Sequence, residues 1–240
     1  MTKEEYDLNN DGITDEVWLY TYKDKESMSK KEHDQNNDSV IDELWAYTYS
    51  NKGAMSKEDY DNNNNGIVDA VETYIYDAEG ILMRKEKDGN NDNVIDEVWT
   101  YSYDTDINLT SEAYDLHNDN IIEKVCFYLY DDNMDLSQKE CDDYNDSVID
   151  EKWNYTYDPN GNLLEEDHDK NNDGIIDEVR TKTYMDGHMI KEEYDWNNNG
   201  QANEVWSYSY DENGNHFKTE YDKNSDGIAD DVYYYTWTAI

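Results

Sequence analysis

The sequence has little positive charge, few cysteines and no long apolar run, and each shortage excludes a class of protein. Only 19 of the 240 residues are Lys or Arg, against 60 Asp and Glu, so the formal net charge is −41. Phosphate contacts require Lys and Arg, so we expect no binding of nucleic acid. The two cysteines are too few for a disulfide framework. No segment approaches the roughly 18 apolar residues of a spanning helix, and residues 1–6 are not a signal peptide, so we expect no membrane insertion.

A short acidic loop, Asp-x-Asn-x-Asp-Gly-x-x-Asp, recurs along the chain. The first copy runs from Asp7 to Asp15, and successive copies begin 27 residues apart, except for one interval of 26 residues between Asp169 and Asp195. A fixed period indicates a repeat fold, and oxygen atoms at alternate positions are the ligands that Ca²⁺ prefers. We therefore predict a single repeat domain, 1–240, that binds up to about nine Ca²⁺ ions. The loops, numbered one to nine, lie near 7–16, 34–43, 61–70, 88–97, 115–124, 142–151, 169–178, 195–204 and 222–231.

The composition raises the question of whether the chain folds without metal. Low hydrophobicity with high net charge is typical of disorder. However, the chain has 24 Tyr and 7 Trp, and its acids occupy fixed columns of the repeat rather than solvated blocks. We therefore expect the metal-free chain to be poorly folded and Ca²⁺ to drive folding.

The residues between loops alternate as β-strands do. Segment 16–22 alternates aromatic residues with small or β-branched ones, as do 43–49 and 97–103. A tight turn follows, clearest at 158–161, and a second extended segment such as 162–168 leads into the next loop. Short connections make neighbouring strands antiparallel. The predicted fold class is all-β: an antiparallel β-hairpin repeat array of about nine units and about 17 strands, arranged as a solenoid or spiral sheet.

Aromatic side chains at equivalent strand positions should stack into ladders. Trp18, for example, is followed at alternate positions by Tyr20 and Tyr22, and on the second strand Met28 heads an apolar partner column. We interpret these rings as a thin core, although an exposed ladder would suit a glycan or extended ligand. The Trp column comprises Trp18, Trp45, Trp99, Trp153 and Trp206.

The acidic loops resemble the calcium loops of integrin α-subunit propellers and related bacterial surface repeats of the FG-GAP and VCBS type. The resemblance implies that side chains at loop positions one, three, five and nine, and the carbonyl at position seven, bind Ca²⁺. In loop one these are Asp7, Asn9, Asp11, Asp15 and the Ile13 carbonyl. The other implied ligands are Asp34, Asn36, Asp38, Val40, Asp42; Asp61, Asn63, Asn65, Ile67, Asp69; Asp88, Asn90, Asp92, Val94, Asp96; Asp115, Asp119, Ile121, Glu123; Asp142, Asp146, Val148, Asp150; Asp169, Asn171, Asp173, Ile175, Asp177; Asp195, Asn197, Asn199; and Asp222, Asn224, Asp226, Ile228, Asp230.

A second resemblance lies in the hairpins. The stretch 155–163, Tyr-Thr-Tyr-Asp-Pro-Asn-Gly-Asn-Leu, resembles the YD repeat of RHS proteins. Those proteins are secreted or surface proteins that form large spiral β-sheets. The chain departs from propellers in its period, since a propeller blade has four strands, and from RHS shells in having no toxin or protease segment. Neither resemblance implies an activity.

The loops are not equal in charge. In loop eight, Asn199 and Asn203 leave Asp195 as the only charged side chain among the four ligand positions. Ca²⁺ affinity falls as charged ligands are removed, so we predict that loop eight is the weakest site. Other departures are Asn65 in loop three, His117 and Glu123 in loop five, and Tyr144 in loop six.

Two residue types interrupt the aromatic columns. Cys126 takes a Trp-column position and Cys141 takes the Tyr/His position of the paired strand, both at the loop end of one hairpin. A cross-strand disulfide and a pair of free thiols are both compatible with this placement. His33 and His168 occupy the same Tyr/His column, and we interpret them as packing residues.

No pattern points to catalysis. Sixty carboxylates make acidic pairs uninformative, and the chain has no Ser-centred elbow, phosphate-binding Gly loop or His-x-x-His pattern. We therefore predict that the protein is not an enzyme but a calcium-stabilised structural protein, extracellular or on a cell surface: a filament subunit, stalk or adhesin segment. The alternatives are a glycan- or protein-binding module using the aromatic ladders, and a fragment of an RHS-like toxin shell.

The two ends of the chain have complementary strand patterns. Residues 3–6 match the second-strand segment 191–194, whereas 231–237 has the first-strand pattern. The ends could therefore close the sheet within one molecule, or pair head-to-tail between copies into a filament. The chain could also be an excerpt of a longer repeat array.

Overall fold

The computed structural model describes residues 2–6 and 13–235, and these residues are all-β, as predicted. The described residues form no helix, and therefore none long and apolar enough to cross a membrane. The described strands are β1 Thr2–Tyr6, β2 Glu16–Tyr22, β3 Met28–Asp34, β4 Glu43–Tyr49, β5 Met55–Asp61, β6 Ala70–Tyr76, β7 Leu82–Asp88, β8 Glu97–Tyr103, β9 Leu109–Asp115, β10 Lys124–Tyr130, β11 Leu136–Asp142, β12 Glu151–Tyr157, β13 Leu163–Asp169, β14 Glu178–Met185, β15 His188–Asp195, β16 Glu204–Tyr210, β17 His216–Asp222 and β18 Asp231–Tyr234.

The chain forms two compact units, Met1–Lys124 and Val125–Ile240, both built from the same hairpin. In the first unit each strand from β1 to β9 pairs antiparallel with its neighbour in sequence. In the second unit the strands from β10 to β18 do the same. Among the described residues, the first and last strands of a unit do not pair, so the sheet is open in each unit.

The hairpin register explains why the aromatic residues share one face. In the β2–β3 hairpin, Trp18 lies opposite His33 and Tyr20 lies opposite Lys31, whereas Val17 lies opposite Asp34. Successive side chains of a strand point to opposite faces, so Trp18 and Tyr20 lie on one face and Val17 on the other. The predicted aromatic ladder therefore follows from the period-two pattern.

Each hairpin also contains a β-bulge that the alternating pattern did not predict. Thr21 pairs with Lys30 but Tyr22 pairs with Met28, so Ser29 is the extra residue. The Ser29 hydroxyl donates a hydrogen bond to the Thr21 carbonyl at 3.1 Å. A bulge increases the local twist of the strands. The same register shift recurs near the turn of the other hairpins.

The apolar core is thin, as expected. The buried apolar residues of the described chain are Val17, Val98, Cys126 and Cys141, and most other strand residues are half-buried. The buried polar residues are mainly the aspartates that begin the acidic loops. The fold therefore depends on cross-strand pairs and on the loops rather than on a thick aliphatic core.

Candidate metal-binding loops

Each described acidic loop is organised by its first aspartate, the last residue of a second strand. In loop two, Asp34 is 4 % exposed. Its Oδ1 accepts a hydrogen bond from the Asp38 amide at 3.1 Å, and its Oδ2 accepts one from the Ser39 amide at 2.9 Å. Both bonds recur in loops three to nine. The first aspartate therefore satisfies the amides of positions five and six.

Positions five and nine also bond to the backbone of their own loop. In loop two, Asp38 Oδ1 accepts from the Val40 amide at 2.8 Å, and Asp42 Oδ2 accepts from the Gln35 amide at 2.8 Å. A carboxylate has two oxygens, so each of these side chains can bond to the backbone and still offer an oxygen to a cation. The residues that the resemblance assigns as ligands thus also shape the loop.

Two backbone positions in each of loops two to nine adopt a left-handed conformation. In loop two these are Asn37 at position four, with φ 53°, and Ser39 at position six, with φ 72°. Gly66, at position six of loop three, has φ 85° and open space around the site of a Cβ. Backbone conformation rather than close packing therefore favours Gly at position six, and Asn and Ser take this position elsewhere.

Position four carries a contact between loops that the sequence analysis missed. Asn37 Nδ2 donates to the Thr14 carbonyl, at position eight of the preceding loop, at 2.9 Å. This bond holds successive loops together without using any implied ligand. The signal that could have revealed it is the recurrence of Asn at position four, outside the ligand positions. Equivalent donors are Asn64, Asn91, Asn118, Asn172 and Asn198.

Loop five brings three carboxylates together. Asp115, Asp119 and Glu123 each have an oxygen within 4.8 Å of the other two, the only such trio of His, Cys, Asp or Glu in the described part of the chain. Glu123 occupies position nine, where the other loops have Asp or Asn, and its extra methylene extends its reach. Three like charges at this separation repel one another unless a cation is present. The donor set consists of hard oxygens, which suits Ca²⁺.

Loop eight forms the same hydrogen-bond frame with amides. Asn199 Oδ1 accepts from the Gln201 amide at 2.9 Å, and Asn203 Oδ1 accepts from the Trp196 amide at 2.7 Å. Each amide side chain has a single oxygen, already bonded to the backbone. The frame therefore requires oxygen atoms at positions five and nine, but not charge.

The structure places the remaining implied ligands as follows. Asp7, Asn9 and Asp11 lie outside the described residues, whereas the Asp15 amide bonds to the Tyr6 carbonyl at 2.7 Å. Tyr144, at position three of loop six, is 78 % exposed. At position seven only the backbone carbonyl is an implied ligand. The side chains at this position are exposed to solvent; they are those of Ile13, Val40, Ile67, Val94, Ile121, Val148, Ile175 and Ile228.

A cross-strand pair lies at the loop end of each hairpin. Trp18 stacks on His33 with ring centroids 3.7 Å apart, which agrees with a packing role for this histidine. Trp45 stacks on Tyr60 in the next hairpin. At the equivalent register the guanidinium of Arg180 lies 4.9 Å from the Tyr194 ring. Further stacked pairs are Trp99–Tyr114, Trp153–His168 and Trp206–Tyr221.

A glutamate beside these pairs links successive hairpins. Glu43 accepts a hydrogen bond from the Tyr60 hydroxyl at 2.6 Å, and its other oxygen lies 2.9 Å from His33 Nδ1. Burial alone would raise the pKa of Glu43, but the hydrogen bonds from Tyr60 and His33 outweigh burial and lower it. The hydrogen bond to Glu43, together with burial, raises the pKa of Tyr60 to about 12. Glu43 is therefore held ionised beside loop two.

In the β10–β11 hairpin a disulfide takes the place of the ring pair. Cys126 lies directly opposite Cys141, with Cα atoms 4.1 Å apart, and the two sulfurs are bonded. Both residues are fully buried. Of the two alternatives that the sequence left open, the structure contains the disulfide.

Comparison with known proteins adds only distant likenesses. No protein-family model and no curated protein matches the chain. A chain of the crystallised TcdB2-TccC3-Cdc42 complex is 12% identical, with a TM-score of 0.38 over 91% of this chain and 14% of that chain. A chain of the Photorhabdus luminescens Tc holotoxin pore is 13% identical, with a TM-score of 0.35 over 86% and 14%. A porin-like protein from Bacteroides uniformis is 10% identical, with a TM-score of 0.47 over 91% and 92%. At these TM-scores the likenesses carry no inference about function.

Proposed function

We propose that this chain is a calcium-stabilised structural protein of the cell surface or extracellular space, in which Ca²⁺ bound to the repeated loops holds an acidic sheet together. Millimolar extracellular Ca²⁺ suits many loops of modest affinity. The chain acts as a filament subunit, stalk or adhesin segment and has no catalytic role. Its partner in this role is a second copy of itself.

The convergence of Asp115, Asp119 and Glu123 in loop five supports this proposal most strongly. Their carboxylate oxygens lie within 4.8 Å of one another on a chain whose net charge is −41. A divalent cation would convert this repulsion into attraction, and hydrogen bonds from four backbone amides already order the loop. Asp115, Asp119 and Glu123 would hold the ion, with the Ile121 carbonyl as a further ligand. The bound ion supplies positive charge.

The remaining loops would bind Ca²⁺ with affinities that follow their charge. Loops one, two, four, seven and nine have Asp at positions one, five and nine and Asn at position three, so they should fill before loop eight. Bound ions would also reduce the repulsion between neighbouring repeats. Folding and Ca²⁺ binding are therefore coupled in this proposal.

Calorimetric titration of the metal-free protein with CaCl₂ tests the proposal. We expect several ions per chain with graded affinities, and a lower thermal midpoint in excess EGTA. The matched control replaces Asp119→Asn and Glu123→Gln together, which keeps a side-chain oxygen at positions five and nine but removes their charge, as in loop eight. This variant should bind about one ion fewer. Failure to take up Ca²⁺ at millimolar concentration, with the same thermal midpoint in EGTA, would overturn the proposal.

Assembly is tested separately by negative-stain microscopy with Ca²⁺ and with EGTA. Head-to-tail pairing would place β18 of one copy beside β1 of the next, in the register of the other hairpins. Long fibres in Ca²⁺ that dissolve on chelation are the expected result. Discrete particles in Ca²⁺ would reject the filament role while leaving calcium binding to be judged by calorimetry.

A further inference from the structure

A cleft in the second unit combines aromatic rings with carboxylates. It has a volume of about 430 Å³ and lies on the aromatic face of β15 and β16, beside loop eight. Its lining contains neither Lys nor Arg. The lining residues are Glu192, Tyr194, Trp196, Glu204, Trp206 and Tyr208.

Elsewhere in the chain, lysines occupy the corresponding space over the Trp column. The Nζ atom of Lys31 lies 4.6 Å from the ring of Trp45 and 4.2 Å from that of Trp18. Lys31 is directly opposite Trp45 in the sheet. An ammonium group over an indole face is attracted by the negative face of the ring. The same arrangement occurs at Lys85 over Trp99, at 4.3 Å, and at Lys139 over Trp153, at 4.9 Å.

Trp206 differs from the other four members of its column. The residue opposite it, where Trp45 has Lys31, is Glu192. Glu192 bonds instead to Arg180, 2.5 Å away. In the hairpin of Trp206, Thr219 takes the position that Lys31 has in the hairpin of Trp18. Among the described residues no Lys or Arg lies over Trp206, so an aromatic ring that carries a cation elsewhere in this chain faces an open cleft here.

Trp196 adds another ring to the cleft. It occupies position two of loop eight, is 45 % exposed and stacks on Tyr194 with centroids 4.9 Å apart. A large exposed indole is unusual in a loop whose other copies have small or polar residues or Leu at this position. The ring faces attract a cation, and Glu204 adds negative charge, whereas the charge of Glu192 is balanced by Arg180 and Lys182.

We propose that this cleft binds a small organic cation with a quaternary ammonium group, which lies over Trp206 as the lysine ammoniums lie over Trp45, Trp99 and Trp153. A quaternary ammonium needs no hydrogen-bond acceptors and is desolvated more readily than a primary amine, so a shallow cleft that presents ring faces suits it. This site uses none of the charged calcium ligands and does not depend on the proposed function.

The test is calorimetry of the full chain with tetramethylammonium chloride and with choline chloride, in millimolar Ca²⁺ and at ionic strength held constant with NaCl. Constant ionic strength removes the general attraction of a polyanion for any cation. Saturable binding of one cation per chain is expected. The neutral isostere 3,3-dimethyl-1-butanol should bind at least fivefold more weakly, because it keeps the shape of choline but lacks the charge.

Variants locate the site. Trp196→Gln installs the residue that loop two has at this position and should weaken cation binding about fivefold. The control Tyr144→Gln removes an exposed ring from loop six and should leave cation binding unchanged. Thr219→Lys should compete by placing an internal ammonium near Trp206, and circular dichroism checks that each variant folds. Non-saturable heats, equal binding of the neutral isostere, or binding of glucose but not of the cations would overturn the proposal.

Discussion

Loops five and eight have the same hydrogen-bond frame but very different charge. In both, the first aspartate accepts from the amides of positions five and six, at 3.0 and 2.9 Å in loop five and at 3.2 and 2.7 Å in loop eight. Loop five adds the carboxylates of Asp119 and Glu123, whereas loop eight adds the amides of Asn199 and Asn203. The conformation of the loop and its charge are therefore separate properties of one motif.

The hairpins that follow these two loops differ in a similar way. After loop five the cross-strand pair is the Cys126–Cys141 disulfide, and after loop eight it is the Trp206–Tyr221 stack, with centroids 4.0 Å apart. Both pairs occupy the same register at the loop end of the hairpin. One position of the repeat thus accepts covalent and non-covalent solutions, because the register brings the two side chains together in either case.

The largest expected effect is the loss of the first aspartate. In millimolar Ca²⁺, Asp195→Ala should lower the free energy of unfolding by about 2–6 kcal/mol, because two backbone amides lose their acceptor. Asp115→Ala should lower it by more, since loop five would also lose its cation. Urea unfolding measures both, with Asn199→Ala, which removes a single acceptor, as the control. Equal losses for Asp195→Ala and Asp115→Ala would argue against a cation in loop five.

Removing the disulfide should have the next largest effect. In the double variant Cys126→Ala and Cys141→Ala the free energy of unfolding should fall by about 3 kcal/mol, the value for a disulfide that closes a loop of about 15 residues. The double variant Cys126→Trp and Cys141→Tyr restores the ring pair found after loop eight and should recover part of the loss. Thermal unfolding in Ca²⁺ compares the two. If the ring pair proved no better than alanine, the two solutions would not be interchangeable at this register.

Adding charge to loop eight should make it resemble loop five. The double variant Asn199→Asp and Asn203→Asp keeps the backbone acceptors and adds two negative charges, so its Ca²⁺ affinity should rise about tenfold or more. Calorimetry should show an additional or tighter binding event. Gln201→Ile, which restores the usual apolar residue at position seven without changing charge, is the control. Unchanged binding in the charged variant would mean that charge does not rank these loops.

The smallest effect concerns a carboxylate that caps backbone amides far from the acidic loops. In the β12–β13 turn, the side chain and backbone amides of Asn162 donate to Asp158 and lower the pKa of Asp158 below its ordinary value. The folded pKa is therefore below the unfolded one, so the stabilisation is present above about pH 4 and is lost as pH falls through the folded pKa.

Carbon-detected NMR titration of Asp158 measures this pKa, with Asp158→Asn as the control for stability. The titration should be the same with and without Ca²⁺ as long as the hairpin stays folded, whereas the carboxylates of loop five should respond to the metal. A pKa of Asp158 that changes with Ca²⁺ would contradict the proposed difference between carboxylates that only cap the backbone and carboxylates that bind a cation.

Much of the fold was predictable because its information is local and repeated. The alternation of Trp18, Tyr20 and Tyr22 predicted a strand. The apolar column that begins at Met28 was predicted to face it, and Met28 does pair with Tyr22. The bulge at Ser29 was missed. A strict period of two predicts one partner for every residue, so it cannot reveal a residue that the pairing between strands leaves over. The strand count also rose from about 17 to eighteen among the described residues.

The site was predictable only in part. The loop motif identified Asp34, Asp38 and Asp42 as a group, and the structure shows that they also cap their own backbone. The bond from Asn37 to Thr14 joins residues 23 positions apart, and the recurrence of Asn at position four does not by itself identify the acceptor. To predict this bond one would have to know that successive loops lie beside one another.

The sequence by itself determined the all-β class, the hairpin repeat and the positions of the acidic loops, because strand periodicity and turn chemistry act over a few residues. Only the tertiary structure decided which side chains meet. It selected the disulfide over two thiols, brought the longer Glu123 to Asp115 and Asp119, and left Trp206 without the lysine that covers its counterparts. Each of these depends on the register between strands, and register is set by pairing across the sheet rather than by any single segment.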